Sequence, residues 1–214
     1  MSSVAIIDYG MGNLHSIAKA LQHANSRIRV TVTGDPREMR DASRILFPGV
    51  GAIRDCMAAL RQRELLPVLA ELAASKPFMG ICLGMQALLE ESEENGGAPC
   101  LGLLPGRVAR FAEGMTDSAG VPLKIPHMGW NRLHVAFEHP LWDGIAQDSW
   151  FYFVHSYYAI PSDAAHIAAT TEYPKPFAAA LLRDNLFAVQ FHPEKSQAAG
   201  LRLLANFLDW EPGR

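Results

Sequence analysis

The sequence contains few cysteines and none of the long apolar runs that mark membrane proteins. Only Cys56, Cys82 and Cys100 occur among 214 residues, and no two of them form a CxxC pair. An odd number without paired spacing argues against a disulfide framework or a zinc cluster, and favours a reduced, cytosolic location. No stretch reaches the ~18 consecutive apolar residues of a membrane span. The segment that begins at Met1 lacks the features of a signal peptide, so no secretion is expected.

Strong net charge, internal repeats and low-complexity segments are also absent. The formal net charge is −3, which gives no indication of a surface for nucleic acid or for an acidic membrane. By contrast, 49% of the residues are apolar and 19% are charged, enough apolar material for a sizeable core. We therefore expect residues 1–214 to form a single α/β domain.

The first half of the chain alternates short apolar runs with helix-like segments. Strands are predicted at residues 4–8, 29–33, 44–47 and 77–81. Helices are predicted at residues 13–24, from Asp35-Pro36 onwards, at 54–74 with an interruption near Pro67, and at 84–91. Such alternation is typical of right-handed crossovers and a mostly parallel sheet.

The second half is richer in strands. Strand-like runs occur at residues 107–111, 150–158, 166–172, 177–183 and 186–191, before a final helix at 197–208. The predicted fold class is therefore α/β, with a mostly parallel sheet flanked by helices and an antiparallel extension.

The strongest chemical signal is Cys82 in the stretch GICLG, at the junction of a predicted strand and a predicted helix. Gly80 and Gly84 allow the neighbouring backbone to approach, as in a nucleophile elbow. The N-terminus of the following helix favours a thiolate, and its N–H groups can donate to an oxyanion. A buried structural cysteine near a helix start remains the alternative on this pentapeptide alone.

A base for this nucleophile is available near the C-terminus. His192 follows the predicted strand at 186–191, and a parallel strand would bring it to the same sheet edge as Cys82. Glu194 is two residues further on and can fix the tautomer of the imidazole. At the end of another strand, Gly49 and Gly51 in PGVG permit unusual backbone angles, so an amide could turn towards a bound carbonyl oxygen. A simple tight turn would also explain these two glycines.

Several segments resemble a known family. GICLGMQ at residues 80–86, PGVG at 48–51 and HPEKS at 192–196 are similar to the motifs of triad-type class I glutamine amidotransferases. DYGMGN at 8–13, PHMGWN at 126–131 and YFVHSY at 152–157 resemble, more selectively, the members that supply ammonia to a cyclase of histidine biosynthesis. The resemblance extends from about residue 4 to residue 208, and it implies the family's fold for nearly the whole chain.

The resemblance also implies a mechanism without a cofactor or a metal. Cys82 attacks the side-chain amide of glutamine, His192 takes the thiol proton and returns it to the leaving ammonia, and Glu194 orients His192. Water then hydrolyses the thioester. The N–H groups of an oxyanion hole are expected at Gly49, Val50, Gly51 and Leu83, and glutamine-binding groups at Gln86, His155, Ser156 and Tyr157.

A partner subunit is implied in the same way. It is a (β/α)8-barrel cyclase that forms a heterodimer with the chain, receives the ammonia, and makes imidazole glycerol phosphate and AICAR. The expected interface residues are Asn13, Pro126, Met128, Trp130, Tyr152 and Lys195. The peptide at 49–51 is expected to reorient when the partner carries its ligand, which would couple glutaminase activity to demand.

Other functions can be compared with these motifs: dinucleotide binding, metal binding and other cysteine chemistry. DYGMGN follows a first strand, as a dinucleotide-binding loop would, but His15 occupies the place of the third glycine. The histidines that could bind a metal lack HExxH-type spacing: His127, His134, His139 and His155. A cysteine esterase or peptidase without a partner, and a redox sensor without turnover, remain open, although a sensor would not need His192 and Glu194.

Overall fold

The computed structural model describes residues 3–213 and confirms the predicted α/β class. The first half contains β1 (Ser3–Ile7), α1 (Leu14–Ala24), β2 (Arg29–Thr33), α2 (Pro36–Asp41), β3 (Arg44–Gly49), α3 (Ile53–Gln62), α4 (Leu66–Ser75), β4 (Phe78–Cys82) and α5 (Leu83–Ala87). The second half contains β5 (Glu91–Ser92), β6 (Ala98–Pro99), β7 (Gly106–Arg110), β8 (His127–Val135), β9 (Ser149–His155), β10 (Tyr157–Pro161), β11 (Ile167–Glu172), β12 (Pro176–Arg183), β13 (Leu186–Val189) and α6 (Gln197–Asp209).

The parallel part of the sheet has the order β2-β1-β3-β4-β13. From β13 the sheet continues through antiparallel pairs to β12, β10 and β7, which is the predicted antiparallel extension. Strand β11 pairs with β12 and with β8, and β8 pairs with β9. The carboxyl ends of β3, β4 and β13 therefore lie side by side, where open α/β sheets carry their sites.

Helices cover both faces of the central parallel strands, which explains why β1 and β4 are buried at every position, whereas the edge strand β2 is partly exposed. In β1, Ala5 and Ile7 face a core shared with α3 and α4, whereas Val4 and Ile6 face one shared with α1 and α6. Successive side chains of a strand point to opposite faces, so burial on both faces requires a continuous apolar run. Both cores are built from fully buried aliphatic and aromatic side chains.

Three predictions of local structure need correction. The helix predicted at 84–91 ends at Ala87, because the amides of Leu101 and Leu103 bond to the carbonyls of Ala87 and Leu88 and end the helical ladder. The run at 150–158 is two strands, β9 and β10, because they pair with different neighbours on either side of Ser156. Strand β8 was not predicted, since its exposed Met128 and Trp130 and its polar positions hide the apolar alternation.

Candidate active site

Cys82 is the last residue of β4 and the residue before α5. Its φ of 53° lies in the left-handed region, a conformation that costs a non-glycine residue about 1–3 kcal/mol and often marks a functional position. The turn closes because Gly84 has no side chain. A Cβ there would lie 3.0 Å from the carbonyl carbon of Phe47, and closer still to its oxygen. The sequence predicts Cys82 at a strand-to-helix turn, and in the structure it lies at the turn between β4 and α5.

Strand β3 runs beside the elbow, with Gly49 in register with Cys82. A Cβ at Gly49 would meet the Tyr9 hydroxyl at 2.7 Å and the Leu83 Cβ at 2.9 Å, so this close approach requires glycine. The Tyr9 hydroxyl donates to the Pro48 carbonyl oxygen at 3.1 Å and holds the end of the strand. Gly49, Val50, Gly51 and Leu83, the predicted oxyanion-hole residues, therefore lie together around the sulfur.

His192 and Glu194 reach the same edge through β13, which pairs in parallel with β4. His192 Nδ1 lies 2.9 Å from Glu194 Oε1, and the two side chains are 5% and 1% exposed. The His192 amide also donates to the Tyr152 carbonyl at 2.9 Å, which fixes the turn after β13. The structure thus brings together the three residues that the sequence predicts as a triad.

The electrostatics of this group favour a charged imidazole. Burial by itself lowers the pKa of His192, but interactions with Cys82 and Glu194 outweigh it and raise the pKa to about 10. The strongest of these raising interactions is with the Cys82 thiol, and Nε2 of His192 has no other hydrogen-bond partner within residues 3–213. This nitrogen is therefore free to exchange a proton with a reacting group.

The two other cysteines lack such surroundings. Cys56 is fully buried, and burial raises the pKa of its thiol to about 11. Burial likewise raises the pKa of the Cys100 thiol to about 12. Thiols of this kind are poor nucleophiles near neutral pH, because the thiolate is the reactive form.

A pocket of about 340 Å³ opens onto the sulfur. The residues that line it include the predicted glutamine-binding group: Gln86, His155, Ser156 and Tyr157. The Gln86 amide nitrogen donates to the Tyr157 carbonyl and to Gln190 Oε1, both at 3.0 Å. Because both N–H groups of Gln86 are used, its side-chain oxygen is the group left to receive a hydrogen bond from a ligand.

His155 belongs to a buried chain of hydrogen bonds behind the pocket. Its Nδ1 lies 2.7 Å from the Tyr157 carbonyl oxygen, so Nδ1 carries the hydrogen and Nε2 accepts from His127 Nδ1 at 3.0 Å. His127 Nε2 in turn accepts from Asn131 at 3.2 Å. Burial lowers the pKa of His127 to about 4 and that of His155 to about 3. Both rings are neutral in the folded protein near pH 7.

This pair is expected to make the protein sensitive to acid. Below pH about 6.5 the unfolded chain protonates both histidines, but the folded chain does not until their lowered pKa values are reached, so stability is lost as pH falls. His192, whose pKa is raised from 6.5 to about 10, acts with the opposite sign: its stabilising contribution is full below pH about 6.5 and is lost as pH rises from there through about 10. The free energy of unfolding should be measured with urea at pH 7.5 and 5.0. Between these two values, His127→Gln should lose about 2 kcal/mol less of this free energy than wild type does.

His23→Gln, the same substitution at an exposed histidine, is the matched control and should keep the wild-type pH dependence. If His127→Gln were as acid-sensitive as wild type, the buried neutral pair would not be the cause.

The other two histidines that were considered as metal ligands, His134 and His139, lie apart from this pair. His134 Nδ1 lies 2.5 Å from Asp148, and the His139 ring packs edge-on against Trp210. In the part of the chain that the structure describes, no three His, Cys, Asp or Glu side chains are grouped to hold a metal ion. Also within residues 3–213, no helix has the length and apolar character needed to cross a bilayer.

An exposed apolar face lies next to the pocket on strands β8 and β9. Met128 and Trp130 are 63% and 42% exposed, although both are large and apolar. Trp130 is in register with Tyr152, and their rings are 6.0 Å apart. Lys195 lies over the Tyr152 ring at 5.6 Å and also lines the pocket. We call the outward side chains of β8 and β9 from 128 to 132 and from 150 to 154 the hairpin face.

The two remaining predicted interface residues lie at different distances from the hairpin face. Pro126 directly precedes β8 and lines the pocket. Asn13 instead caps α1, with its side chain accepting from the Ser16 amide at 3.4 Å, and α1 packs beside the turn that carries Lys195.

Two further residues of the site, one lining the pocket and one buried behind the sulfur, were not predicted from the sequence. Glu94 lines the pocket and accepts from the Ile53 amide at 2.7 Å. Nothing in its local sequence distinguishes it from other surface glutamates. Gln190 is fully buried, and its amide nitrogen lies 3.7 Å from the Cys82 sulfur. The sequence carried a signal for Gln190 only through the predicted strand at 186–191, in which a residue two positions before His192 would point to the same side.

Comparison with known proteins places this geometry in a family. The profile of the glutamine amidotransferase class-I family matches residues 5–210. The imidazole glycerol phosphate synthase subunit HisH of Methylococcus capsulatus is 70% identical, over 99% of this chain and 98% of its own length. HisH of Nitrosococcus oceani is 59% identical, over 98% of each chain.

Solved structures agree on the fold. The structure of PurLQS from Thermotoga maritima superimposes with a TM-score of 0.73 at 18% identity, over 97% of this chain and 98% of that one. A glutamine amidotransferase crystal structure gives a TM-score of 0.72 at 16% identity, over 97% and 99% of the two chains.

Proposed function

Because this chain belongs to the class I glutamine amidotransferase family, we propose that it is the glutaminase subunit of an imidazole glycerol phosphate synthase. It hydrolyses glutamine to glutamate and ammonia, and the ammonia serves histidine biosynthesis. The single observation that carries the chemistry is Cys82 at a left-handed elbow beside the buried pair of His192 and Glu194. The pathway follows from 70% and 59% identity to HisH proteins over nearly the full length.

The proposed reaction proceeds in two halves. The Cys82 thiol gives its proton to His192 Nε2, its sulfur forms a bond to the side-chain carbonyl carbon of glutamine, and negative charge develops on the carbonyl oxygen. The carbon–nitrogen bond then breaks while His192 Nε2 gives its proton to the leaving ammonia, and a thioester remains. Water next adds to the thioester as His192 accepts its proton, and the product is glutamate with the thiol restored. The raised pKa of His192 and its Nε2, which has no other hydrogen-bond partner within residues 3–213, support this role.

The oxyanion is proposed to be held by the N–H groups of Leu83 and of the segment 49–51. Support comes from the register of Gly49 with Cys82 and from the exclusion of any side chain at Gly49. Donors fixed before the charge develops are effective because they need no reorganisation during the reaction.

Glutamine is proposed to lie in the pocket of about 340 Å³, with its amide towards Cys82. The Gln86 oxygen would accept from a substrate N–H group, since its amide nitrogen is used within the protein. His155, Ser156 and Tyr157 form the opposite wall, and the Glu94 carboxylate provides a negative charge for the ammonium group of an amino acid.

As a synthase subunit, the chain acts with a partner, and we propose a (β/α)8-barrel cyclase bound at the hairpin face. That face places Met128, Trp130 and Tyr152 beside the pocket mouth, where ammonia leaves. Exposed aromatic side chains with a nearby cation are typical of interface anchors. Asn13, Pro126 and Lys195 are proposed to complete the contact.

Residues 1–214 are proposed to form one amidotransferase domain, and the family match over residues 5–210 supports this. It needs no cofactor and no metal, since the thiol, the imidazole and water account for every bond made and broken. The cytosolic location expected from the cysteines remains a prediction.

The deciding experiment measures glutamate release by the purified chain, alone and with a candidate cyclase barrel and its nucleotide ligand. We expect little release alone and strong stimulation by the liganded barrel. Trp130→Ala should raise the barrel concentration needed for half-maximal stimulation at least about tenfold, because a central interface aromatic contributes more than 1–2 kcal/mol.

Phe137→Ala is the matched control, since Phe137 is 40% exposed but lies outside the hairpin face. Equal stimulation of Trp130→Ala and wild type would exclude this face as the docking surface. Glutamate release that is unaffected by any barrel would favour an enzyme that acts without a partner.

A further inference from the structure

Gln190 is a fully buried polar side chain that reaches the nucleophile and that the proposed mechanism does not use. It follows β13, and its backbone amide continues the antiparallel ladder by donating to the Ala179 carbonyl at 2.9 Å. Its side chain is fully buried and points to the same edge as His192. Burying an amide without hydrogen bonds is costly, so the partners of this group must be accounted for.

The orientation of the Gln190 amide follows from its neighbours. A backbone carbonyl can only accept, so the Gln86 group that lies 3.0 Å from the Tyr157 oxygen must be the amide nitrogen. That same nitrogen lies 3.0 Å from Gln190, which must therefore turn its oxygen towards Gln86. The remaining end of Gln190 is the NH2 group, and it lies 3.7 Å from the Cys82 sulfur.

This N–H···S contact has a direction that matters for catalysis. A donor stabilises sulfur more when the sulfur is negative, because hydrogen bonds to charged groups are roughly twice as strong as neutral ones. His192 also interacts with the thiol, and its Nε2 is the atom that exchanges a proton in the proposed reaction. The Gln190 amide donates a second, separate hydrogen bond to the Cys82 sulfur at 3.7 Å.

We propose that Gln190 is a positioning residue of the glutaminase reaction: its amide holds the Cys82 sulfur in place and favours the thiolate, leaving His192 Nε2 for the leaving ammonia. This inference rests on the proposed function. Gln86 fixes the Gln190 amide, so one relay of side chains joins the wall of the glutamine pocket to the nucleophile. The charged and titratable groups near the sulfur are His192 and Glu194 after β13, Tyr9 after β1, and His155, Glu94 and Lys195, which line the same pocket. Burial raises the pKa of Tyr9 far above neutral pH, so Tyr9 stays uncharged.

Two substitutions separate this role from simple packing. Gln190→Met keeps the length of the side chain but removes the donor, and Gln190→Glu keeps the shape but turns an oxygen towards the sulfur. The assay is the rate at which iodoacetamide alkylates Cys82 as a function of pH, together with kcat and KM for glutamine. For Gln190→Met we expect the midpoint of alkylation to rise by about one pH unit, and kcat to fall about tenfold with KM unchanged.

Gln190→Glu should raise the midpoint at least as much, because its carboxylate brings negative charge against the sulfur. If Gln190 served only to pack the core, the isosteric glutamate should lower kcat less than methionine does. Neither variant should then shift the alkylation midpoint. Gln147→Met removes an amide that bonds only to Val135, and it should match wild type in both assays.

If wild type hydrolyses glutamine but both Gln190 variants keep the wild-type alkylation midpoint, the inference is overturned. Absence of glutamate release from wild type under every condition would instead contradict the proposed function itself.

Discussion

Cys82→Ala is expected to abolish glutamine hydrolysis, with kcat reduced about 10⁴-fold or more, because no other thiol can form the thioester. The sulfur lies at the pocket, whereas Cys56 is fully buried and the pKa of the Cys100 thiol is raised to about 12. Glutamate release with the liganded cyclase barrel is the measurement, since stimulation by the barrel makes the loss easiest to see.

Cys100→Ala is the matched control and should keep wild-type turnover. Thermal unfolding of Cys82→Ala should be close to that of wild type, because alanine accepts the elbow backbone about as well as cysteine does. A Cys82→Ala protein that still released glutamate would contradict the nucleophile assignment and favour an esterase-like or sensor function for this chain.

Gly84→Ala is expected to destabilise the protein by about 3 kcal/mol or more, and to lower Tm by about 6–12 °C. The physical reason is space rather than backbone angle. The new Cβ would overlap the carbonyl oxygen of Phe47, which belongs to the central strand β3 and cannot move alone. Moving β3 would shift Gly49 away from Cys82, so turnover should fall together with stability. Denaturant unfolding and kcat of the same preparation test both effects.

Gly114→Ala is the matched control that separates steric overlap from backbone strain as the cause of destabilisation. Gly114 has a φ of +72°, but a Cβ there would meet nothing within 4 Å. We expect a cost of about 1–2 kcal/mol from the left-handed backbone and no change in kcat. If Gly84→Ala were no worse than Gly114→Ala, the close contact between the elbow and β3 would not be needed for the fold.

Local sequence patterns predicted the strands around the site well. Residues 29–33 form β2 as predicted, and the strand predicted at 77–81 is Phe78–Cys82, one residue later. Strand β4 is buried on both faces, so its apolar run is continuous and easy to recognise. Strand β2 lies at the edge of the sheet and is partly exposed, and it is recognised by its β-branched residues at 30–33. Strand β8 escaped prediction because the hairpin face leaves Met128 and Trp130 exposed, which breaks the alternation that identifies a strand.

By itself, the sequence determined the α/β fold class and identified the candidate nucleophile and base. Cys82 between two glycines, and His192 with Glu194 after a strand, place reactive groups at strand ends, where parallel pairing must bring them to one edge. The tertiary structure decided the surroundings of these groups. Gln190 lies 108 residues from Cys82, Tyr157 lies 71 from Gln86, and His155 lies 28 from His127. Contacts over such separations depend on strand register and on which side chains share a buried space, and no local pattern records either.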